Sequence, residues 1–430
     1  MTGGVAARRS TEKVAVLGLG YVGLPVALAA ADAGHDVLGY DIDSGHLADI
    51  RSGRTDLVDL DHARVAVHLE SGSLTLSANP MDLAAAHVYL ICVPTPLTAG
   101  SPDLSMVLAA VDTVADAVGP GDLVILESTT WPGTTVDVLA PRLAERSGLA
   151  PGADIHLVFS PERIDPGNGD YPLARIPKLV GGVTRRDGER AAAFYETFVD
   201  SVHIVSGPSE AEMAKILENT FRHVNLALVN ELAMLCSAGS INLREAISAA
   251  ATKPFGFMPF YPGPGVGGHC IPVDPIYLNW NAKRTGFSLR LIDAAEQVNR
   301  AMPTHVVNRV TMLLNDVAKP VHGSEVLLLG ISYKPGVADV RESPAFPIAE
   351  KLVRLGARVR WHDPLVRDSQ DLHGLPRIAE LSAAEVGKHD LAVLHTPHPF
   401  YTGALLEAAP LLLDPHGVLA AAALPNVFDL

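Results

Sequence analysis

The chain has few cysteines, no long apolar run and a deficit of positive charge. Of its 430 residues only Cys92, Cys236 and Cys270 are cysteine, and their spacing pairs none of them as metal ligands. Such a count indicates neither a disulfide framework nor a zinc site, so we expect a reducing compartment and no metal. No uninterrupted apolar stretch reaches the roughly 18 residues of a membrane span, and residues 1–13 have no apolar signal-peptide core. These absences predict a cytoplasmic protein without a membrane partner.

Net charge and chain length further narrow the class of protein. Acidic residues outnumber basic ones, 48 against 33, and the formal net charge of -15 argues against broad nucleic-acid binding. That charge does not exclude a local basic pocket for an anionic substrate. A length of 430 residues predicts two to three domains, at roughly 150 residues each.

A loop rich in glycine and proline surrounds Cys270. Residues 262–275 contain four glycines, which permit unusual backbone angles and close approach, and four prolines, which stiffen the path and exclude a helix. A rigid loop that carries an exposed thiol is a candidate nucleophile. The alternative is a buried and inert cysteine, which is the commonest fate of an unpaired thiol.

The N-terminal part carries the glycine pattern of a dinucleotide site. An apolar run leads into Gly18, Gly20 and Gly23, and an alanine-rich helical pattern follows. A second apolar run ends at Asp41, 18 residues beyond Gly23, where a carboxylate accepts hydrogen bonds from an adenosine ribose. The pyrophosphate would lie on backbone N–H groups, and Asp41 would repel a 2′-phosphate, so the pattern predicts NAD rather than NADP. The alternative is a glycine-rich turn without a ligand.

Further apolar runs alternate with helical patterns in the first half of the chain. The runs at residues 87–94, 122–127 and 155–160 predict buried parallel strands. Ligands of a doubly wound sheet meet the carboxyl ends of its strands, so the polar residues that follow these runs are candidates for cofactor or substrate contact. They are Thr95, Ser128, Thr129 and Glu162. Each of them alone is also typical of a turn or a helix cap.

A long helical pattern runs from Ser209 to about Ala250, with apolar residues at intervals of three and four. It predicts a connecting helix or the core of a dimer. Lys215 and Asn219 lie four residues apart and therefore share a face of this helix. Most helical lysines are simply solvated, so the pair alone does not establish a site.

The last third begins a second α/β unit. Residues 325–330 predict a strand, residues 333–344 a loop, and residues 357–363 another strand beyond a helix. Only Gly330 follows the first of these strands, so this unit should bind something other than the NAD pyrophosphate. Lys334 and Arg341 in the loop are candidates to hold a nucleotide or a phosphate. The alternative is that both are surface charges.

Together these segments resemble the UDP-glucose/GDP-mannose dehydrogenase family of nucleotide-sugar 6-dehydrogenases. The resemblance covers nearly the whole chain. Its motifs are residues 18–23, 93–96, 127–133, 160–163, 212–215 with Asn219, 267–270 with Asp274, and 333–336 with 341–343.

The resemblance implies an α/β fold of two Rossmann-like doubly wound domains joined by a long central helix. Residues 1–205 would form the NAD-binding domain, residues 206–305 a central helical dimerisation region with the cysteine loop, and residues 306–430 the UDP-sugar domain. Tyr21 and Val22 join the glycines as cofactor contacts, together with Thr95 and Thr129. The partners implied are a UDP-sugar and at least one further copy of the chain.

The chemistry implied is a four-electron oxidation of the sugar C6 alcohol to a carboxylate with two NAD per turnover. Cys270 would trap the aldehyde as a thiohemiacetal that is oxidised to a thioester. Lys215 and Asn219 would stabilise the alkoxide and oxyanion, while Glu162 and Asp274, with Thr129, would position or deprotonate water. The implied substrate contacts are Glu162, Arg163, Lys215, Asn219, Tyr261, Gly267, Lys334 and Arg341.

Two departures from the family's glucose-type members stand out. Pro166 takes the place of a second glutamate, and no lysine stands just before Asp274. Both features, with residues 252–265, are closer to the bacterial UDP-N-acetylglucosamine 6-dehydrogenase branch, so UDP-N-acetylglucosamine or UDP-glucose is the expected substrate. Arg163 is expected to add a contact to the substrate phosphate or sugar in place of the missing groups.

Two other functions fit parts of the pattern. A two-electron NAD dehydrogenase of a hydroxy acid, built on a similar plan, would use Lys215 and Asn219 but would need no cysteine. A catalytically silent nucleotide-binding protein would be expected to lose Cys270, Lys215 or Asp274. All of these residues are present, which favours the four-electron enzyme.

Overall fold

The structure is a computed structural model that describes residues 11–55, 61–165, 170–237, 239, 241–366, 372, 374–419 and 424–430. Most of the N-terminal segment discussed above, and Pro166, lie outside the described residues. The chain divides into two compact units. The first unit comprises Met1–Glu218 and Ile276–Gly286, and the second comprises Asn219–Pro275 and Phe287–Leu430.

The first unit is built on a sheet of eight strands among its described residues. The strands are β1 Lys13–Leu17, β2 Asp36–Tyr40, β3 Leu74–Ser77, β4 Val88–Ile91, β7 Leu123–Leu126, β8 His156–Phe159, β9 Lys178–Gly182 and β10 Val202–Val205, and a separate two-stranded ribbon is formed by β5 Leu97–Thr98 and β6 Ser101–Pro102. Their order is β10-β9-β8-β7-β4-β1-β2-β3, and all neighbours are parallel except β8 and β9. The central strands β4, β7 and β8 are buried along their whole length, as continuous apolar runs predict.

Helices flank this sheet. They are α1 Gly23–Asp32, α2 Ser44–Arg51, α3 His62–Ser71, α4 Ser105–Ala115, α5 Ala140–Ser147 and α6 Arg185–Tyr195, with helical turns at Pro80–Ala85, Thr135–Leu139 and Leu173–Arg175. The core forms where α1 and α6 pack on the sheet, around Leu24, Leu28 and Phe194. Right-handed crossovers between parallel strands require such covering helices.

The second unit contains a five-stranded parallel sheet in the order β12-β11-β13-β14-β15. Its strands are β11 Glu325–Leu329, β12 Arg358–His362, β13 Leu391–Leu394, β14 Leu412–Leu413 and β15 Val427–Phe428. Its helices are α8 Leu243–Ala251, α10 Arg290–Asp316, α11 Ala345–Arg354, α12 Ala383–Val386 and α13 Gly403–Leu406. The described part of the chain also holds α7 Pro208–Ser237 and α9 Asp274–Arg284, each of which has residues in both units.

The long central helix is shorter than the sequence predicts. Residues 209–250 do not form one helix, because α7 ends at Ser237 and α8 begins at Leu243. Gly239 disfavours helix continuation, and the Asn242 side chain accepts a hydrogen bond from the Glu245 backbone N–H, which starts the new helix. The predicted fold class, two Rossmann-like α/β domains with a long central helix, is confirmed. No described helix is both long and apolar enough to span a bilayer.

Candidate functional site

The glycine turn after β1 has a shape that only glycine allows. Gly18 has φ +89°, and a Cβ there would lie 2.8 Å from the Cys92 carbonyl oxygen. A Cβ on Gly23 would lie 1.8 Å from the Gly18 carbonyl oxygen, whereas one on Gly20 would meet nothing within 4 Å. Two glycines are therefore required by packing, and the third leaves the backbone open at the start of α1. This open backbone fits a dinucleotide pyrophosphate.

The other residues expected around the cofactor lie at the same edge of the sheet. Strand β1 is flanked by β2 and β4, so the turn lies where the strand order reverses. Tyr21 and Val22 are half-buried in the turn, and Thr95 is buried just beyond β4. Asp41 accepts hydrogen bonds from the backbone N–H groups of Leu19 and Asp43, each at 3.0 Å. Asp41 therefore ties the end of β2 to the turn.

Glu162 lies after β8 in a fixed environment. Its Oε1 accepts the backbone N–H of Arg163 at 2.6 Å and that of Ile164. The Lys178 ammonium is 3.7 Å from its Oε2. Lys215 on α7 donates to the Glu162 carbonyl oxygen at 2.6 Å. The structure thus brings together two of the predicted site residues, Glu162 and Lys215.

Arg163 is held by protein groups. Its guanidinium pairs with Glu218 at 2.6 Å and donates to the Pro177 carbonyl oxygen at 2.9 Å. These contacts align it along the surface next to Glu162. The expected contact of Arg163 with a substrate stays a prediction.

Lys178, which lies beside Glu162, belongs to a buried cluster to which the sequence assigned no role. The Lys178 ammonium lies 3.0 Å from Glu127 Oε2, and the Tyr195 hydroxyl donates to Glu127 Oε1 at 2.5 Å. Burial alone would lower the pKa of Lys178, but Glu127 and Glu162 outweigh burial and hold it above its ordinary value. Burial raises the pKa of Glu127. The signal for this cluster in the sequence was a lysine at the first position of the otherwise apolar strand β9.

Glu212 on α7 organises the turn that follows β7 and Thr129. It accepts hydrogen bonds from Gly133 N at 2.6 Å, from Thr135 N at 2.8 Å and from the Thr135 hydroxyl at 2.7 Å. Burial raises the pKa of Glu212 to about 7, although these donors act in the opposite direction. Thr129 itself is half-buried at the start of the turn.

In the second unit, Cys270 is exposed, and its loop leads directly into α9. Gly265 and Gly268 have φ of +140° and +88°, so the loop follows a path that favours glycine at both positions. The Cys270 carbonyl accepts the backbone N–H of Asp274 at 2.9 Å. Asn219 in turn donates to Asp274 Oδ2 at 2.5 Å. Three predicted catalytic residues of the second unit, Cys270, Asn219 and Asp274, are therefore linked.

The loop after β11 meets the cysteine loop. Gly268 donates to the Arg341 carbonyl at 3.0 Å. A Cβ on Gly267 would lie 2.8 Å from the Tyr333 side chain. The Arg341 guanidinium pairs with Asp339 at 2.6 Å, and the Lys334 ammonium lies 5.9 Å from the centre of the Tyr333 ring. The segment Gly267–Gly268 thus lies against Tyr333 and the backbone of Arg341 and Glu342.

Tyr261 lies at the other end of the cysteine loop. The guanidinium of Arg244 on α8 stacks over its ring at 4.6 Å, and Arg244 also donates to the His416 carbonyl oxygen at 2.6 Å. The Tyr261 ring is therefore supported on one face by a fixed cation. Its expected contact with a substrate stays a prediction.

Polar side chains beneath the β11 loop were not predicted. Asp363, His398 and Ser332 follow three neighbouring strands, β12, β13 and β11. His398 Nδ1 accepts the Gly336 N–H at 3.2 Å, so its Nε2 carries the proton and faces Asp363 Oδ2 at 3.1 Å. Burial alone would raise the pKa of Asp363, but His398 and two backbone N–H groups outweigh burial and hold it below its ordinary value. This network fixes the loop that carries Lys334 and Arg341.

Three family models match the chain in order. They describe the NAD binding domain, the central domain and the UDP binding domain of the UDP-glucose/GDP-mannose dehydrogenase family, and they match residues 12–199, 209–301 and 327–421.

Individual proteins are similar over nearly the full length. A UDP-N-acetyl-D-mannosamine dehydrogenase of Pyrococcus horikoshii is 37% identical, and a UDP-N-acetyl-D-glucosamine 6-dehydrogenase of Pseudomonas aeruginosa is 34% identical, each over 90% of both chains. The solved structure of a UDP-glucose dehydrogenase from Pyrobaculum islandicum matches with a TM-score of 0.88 at 27% identity, over 99% of both chains.

Proposed function

Because the chain belongs to the UDP-glucose/GDP-mannose dehydrogenase family and is an NAD-dependent UDP-sugar dehydrogenase, we propose that it oxidises the C6 alcohol of a UDP-N-acetylhexosamine to a carboxylate through Cys270. The observation that carries this proposal is the exposed Cys270 thiol in a rigid loop, two hydrogen bonds away from Asn219 through Asp274. A two-electron dehydrogenase has no use for such a thiol.

The choice of sugar rests on the relatives. The two similar enzymes at 34% and 37% identity are named for N-acetylhexosamines, whereas the UDP-glucose dehydrogenase structure is 27% identical. UDP-N-acetylglucosamine and UDP-N-acetylmannosamine are therefore the first candidates. UDP-glucose is the alternative.

The residues divide the chemistry between them. The glycine turn at residues 18–23 and Asp41 would hold NAD, which would supply the oxidising chemistry as the acceptor of one hydride in each of the two oxidations. Lys215 and Asn219 stabilise the negative charge that forms on the C6 oxygen. Glu162 and Asp274, with Thr129, hold the water that ends the reaction.

Cys270 separates the two oxidations. After the first, C6 is an aldehyde, and the Cys270 thiolate adds to it to form a C–S bond and an alkoxide. The second oxidation removes the C6 hydrogen with its electron pair and leaves a thioester. Water attacks the thioester carbon and the C–S bond breaks, which releases the carboxylate and two protons and restores the Cys270 thiolate. One water is consumed per sugar, and hydrolysis makes the sequence effectively irreversible.

We assign the parts of the reaction to segments of the chain. Residues 1–205 bind NAD, residues 206–305 supply the cysteine loop and the subunit contact, and residues 306–430 bind the UDP moiety. The three matched family models, in the same order along the chain, support this assignment. The protein is a homodimer in this proposal, and α7 forms the contact between its subunits.

The stoichiometry of NADH tests the mechanism and the substrate together. The chain is incubated to completion with UDP-N-acetylglucosamine, UDP-N-acetylmannosamine, UDP-glucose or GDP-mannose, and NADH is measured per mole of sugar consumed. We expect a ratio of two with one UDP-N-acetylhexosamine, and we expect Cys270→Ser to form no carboxylate. Cys236→Ala, which changes a buried cysteine on α7, is the matched control and should keep the ratio of two.

A ratio of one in the wild type would contradict the thioester mechanism and favour the two-electron reaction. A ratio of two with UDP-glucose alone would keep the mechanism and overturn the substrate.

A further inference from the structure

The loop that carries Cys270 rests on a buried chain of polar side chains from two helices. His223 and Asn230 lie on α7, and Asn299 lies on α10; their exposed fractions are 1%, 1% and 5%. All three belong to the second unit, as does the cysteine loop. We call these three residues the loop-base network.

The network holds the start of the loop through Asn230. The Asn230 Oδ1 accepts the Gly263 backbone N–H at 3.0 Å. Its amide Nδ2 donates to Asn299 Oδ1, also at 3.0 Å. Because both groups of the Asn230 amide are used, its orientation is determined, and the first glycine of the loop cannot shift without breaking a buried hydrogen bond.

The network reaches the far end of the loop through His223. Asn299 Nδ2 donates to the His223 carbonyl oxygen at 3.2 Å and faces His223 Nδ1 at 3.4 Å. The His223 ring lies close to the backbone of Ile271, the residue after Cys270, which acts to raise the pKa of the ring. The network therefore runs along the base of the loop, from a hydrogen bond at Gly263 to the His223 ring beside Ile271.

Burial favours an uncharged His223 ring, and the acidic side chain beside it does not reverse this. Glu296 Oε2 lies 3.5 Å from His223 Nε2, and Glu296 is itself paired with Arg300 one turn further along α10. Burial lowers the pKa of His223, although Glu296 and the Ile271 backbone act in the opposite direction. A neutral ring retains one donor and one acceptor for its neighbours.

We propose that His223, Asn230 and Asn299 are positioning residues that set the place of the Cys270 sulfur for attack on the aldehyde. The proposal rests on the proposed function for its chemistry. The exposed Cys270 side chain extends from the loop backbone, and the network holds that backbone by a buried hydrogen bond at Gly263 and lies beside it at Ile271. A displacement of about 1 Å in a reacting group lowers a rate by roughly 100-fold.

The test measures the reactivity of the Cys270 thiol and the rate of sugar oxidation separately. Alkylation of Cys270 by iodoacetamide is followed as a function of pH in protein without substrate, with Cys270→Ser as the blank. The variants are Asn230→Ala, His223→Leu and the conservative His223→Gln. Asn225→Ala is the matched control, because Asn225 lies on the same helix and its side chain donates to the Phe221 carbonyl of that helix. The same variants are assayed for kcat and KM with the UDP-sugar.

We expect Asn230→Ala and His223→Leu to alter the pH profile of alkylation and to lower kcat about 10-fold to 100-fold, with little change in KM. His223→Gln should recover most of the loss, and Asn225→Ala should match the wild type. Equal alkylation profiles and equal kcat in all variants would overturn the proposal, as would a loss confined to KM. A wild type that oxidises no UDP-sugar, while alkylation still separates the variants from the control, would refute the proposed function and leave the positioning role standing.

Discussion

At the scale of single residues, Lys178 and Glu127 form an ion pair inside the first unit, with exposed fractions of 8% and 1%. Removal of one member of a buried pair leaves an uncompensated charge, which is destabilising by about 3 to 5 kcal/mol. We therefore expect Lys178→Met to lower the free energy of unfolding by this amount. Adding Glu127→Gln to Lys178→Met should restore more than half of the loss. Urea unfolding of the three proteins measures both effects.

An exposed pair provides the matched control for this experiment. Arg185 and Glu189 form an i,i+4 ion pair on α6, where both side chains are largely solvated. Arg185→Met should change the free energy of unfolding by less than about 0.5 kcal/mol. If Lys178→Met changes the free energy of unfolding as little as Arg185→Met does, the ion pair of Lys178 and Glu127 does not stabilise the environment of Glu162.

The sequence indicated some of these residues and not others. Glycines and prolines around Cys270 predicted an irregular loop, because their backbone restrictions are local, but they left open whether its thiol is exposed or buried. The partners of Lys178 were not visible, since Glu127 lies two strands away in the sheet and far away in sequence. Similarly, His223 was one more residue of a helical pattern, because only the folded chain brings α10 and the cysteine loop against it.

At the scale of elements, Glu212 connects α7 to the turn after β7 and makes that connection sensitive to pH. Burial raises its pKa to about 7 from an ordinary value of 4.5. An acid whose folded-state pKa lies above its unfolded value stabilises the fold when protonated, and this contribution is lost as pH rises toward and through the folded pKa. The stability of the wild type relative to Glu212→Gln should therefore fall by about 2 kcal/mol between about pH 5.5 and about pH 8.

Urea unfolding at the two pH values measures this difference. Glu210→Gln removes the same charge from an exposed position two residues earlier and serves as the control. The glutamine that replaces Glu212 also places an amide N–H₂ against the donors Gly133 and Thr135, which lowers stability at both pH values and cancels in the comparison. A difference between wild type and Glu212→Gln that does not change with pH would contradict the raised pKa.

The bounds of elements with a strong apolar pattern were predicted to within a few residues. The main source of error was the position of helix caps. Strands β4, β7 and β8 coincide with apolar runs because they are buried on both faces. The break between α7 and α8 was missed, since apolar spacing continues across it and a single glycine is tolerated within many helices. Asn242 followed by Glu245 was the local signal, because an asparagine before a helical run is a typical N-cap.

At the scale of the whole molecule, the chain order of motifs predicted the two α/β units, because each begins with a strand, a turn and a helix. It did not predict that Ile276–Gly286 returns to the first unit after the cysteine loop. Domain boundaries at 205/206 and 305/306 divide the chain into consecutive segments. They therefore cannot describe a segment that belongs to an earlier domain. Residue 305 lies within α10, which continues from Arg290 to Asp316.

The apolar face of α7 carries the proposed homodimer. Met213, Leu217, Phe221, Leu228 and Leu235 recur at intervals of four and seven, and each is exposed, with Leu228 at 54% and Leu235 at 66%. Exposure of a continuous apolar stripe on a helix of 30 residues is unfavourable in water. The simplest way to bury it is to pack it against the same stripe of a second copy in a symmetric dimer. We therefore expect light scattering to give at least twice the chain mass of 45.4 kDa.

Charge on this face should separate the subunits. Leu228→Glu combined with Leu235→Glu places two carboxylates in the proposed contact, where their partners in the second copy repel them, so the mass should fall to that of one chain. Val67→Glu introduces the same charge at an exposed position of α3 and should leave the mass unchanged. A monomeric wild type would refute the dimer, and a double variant that stays dimeric would move the contact to another surface. Because NADH formation is measured on the same samples, a monomer that remains active would show that the reaction is completed within one chain.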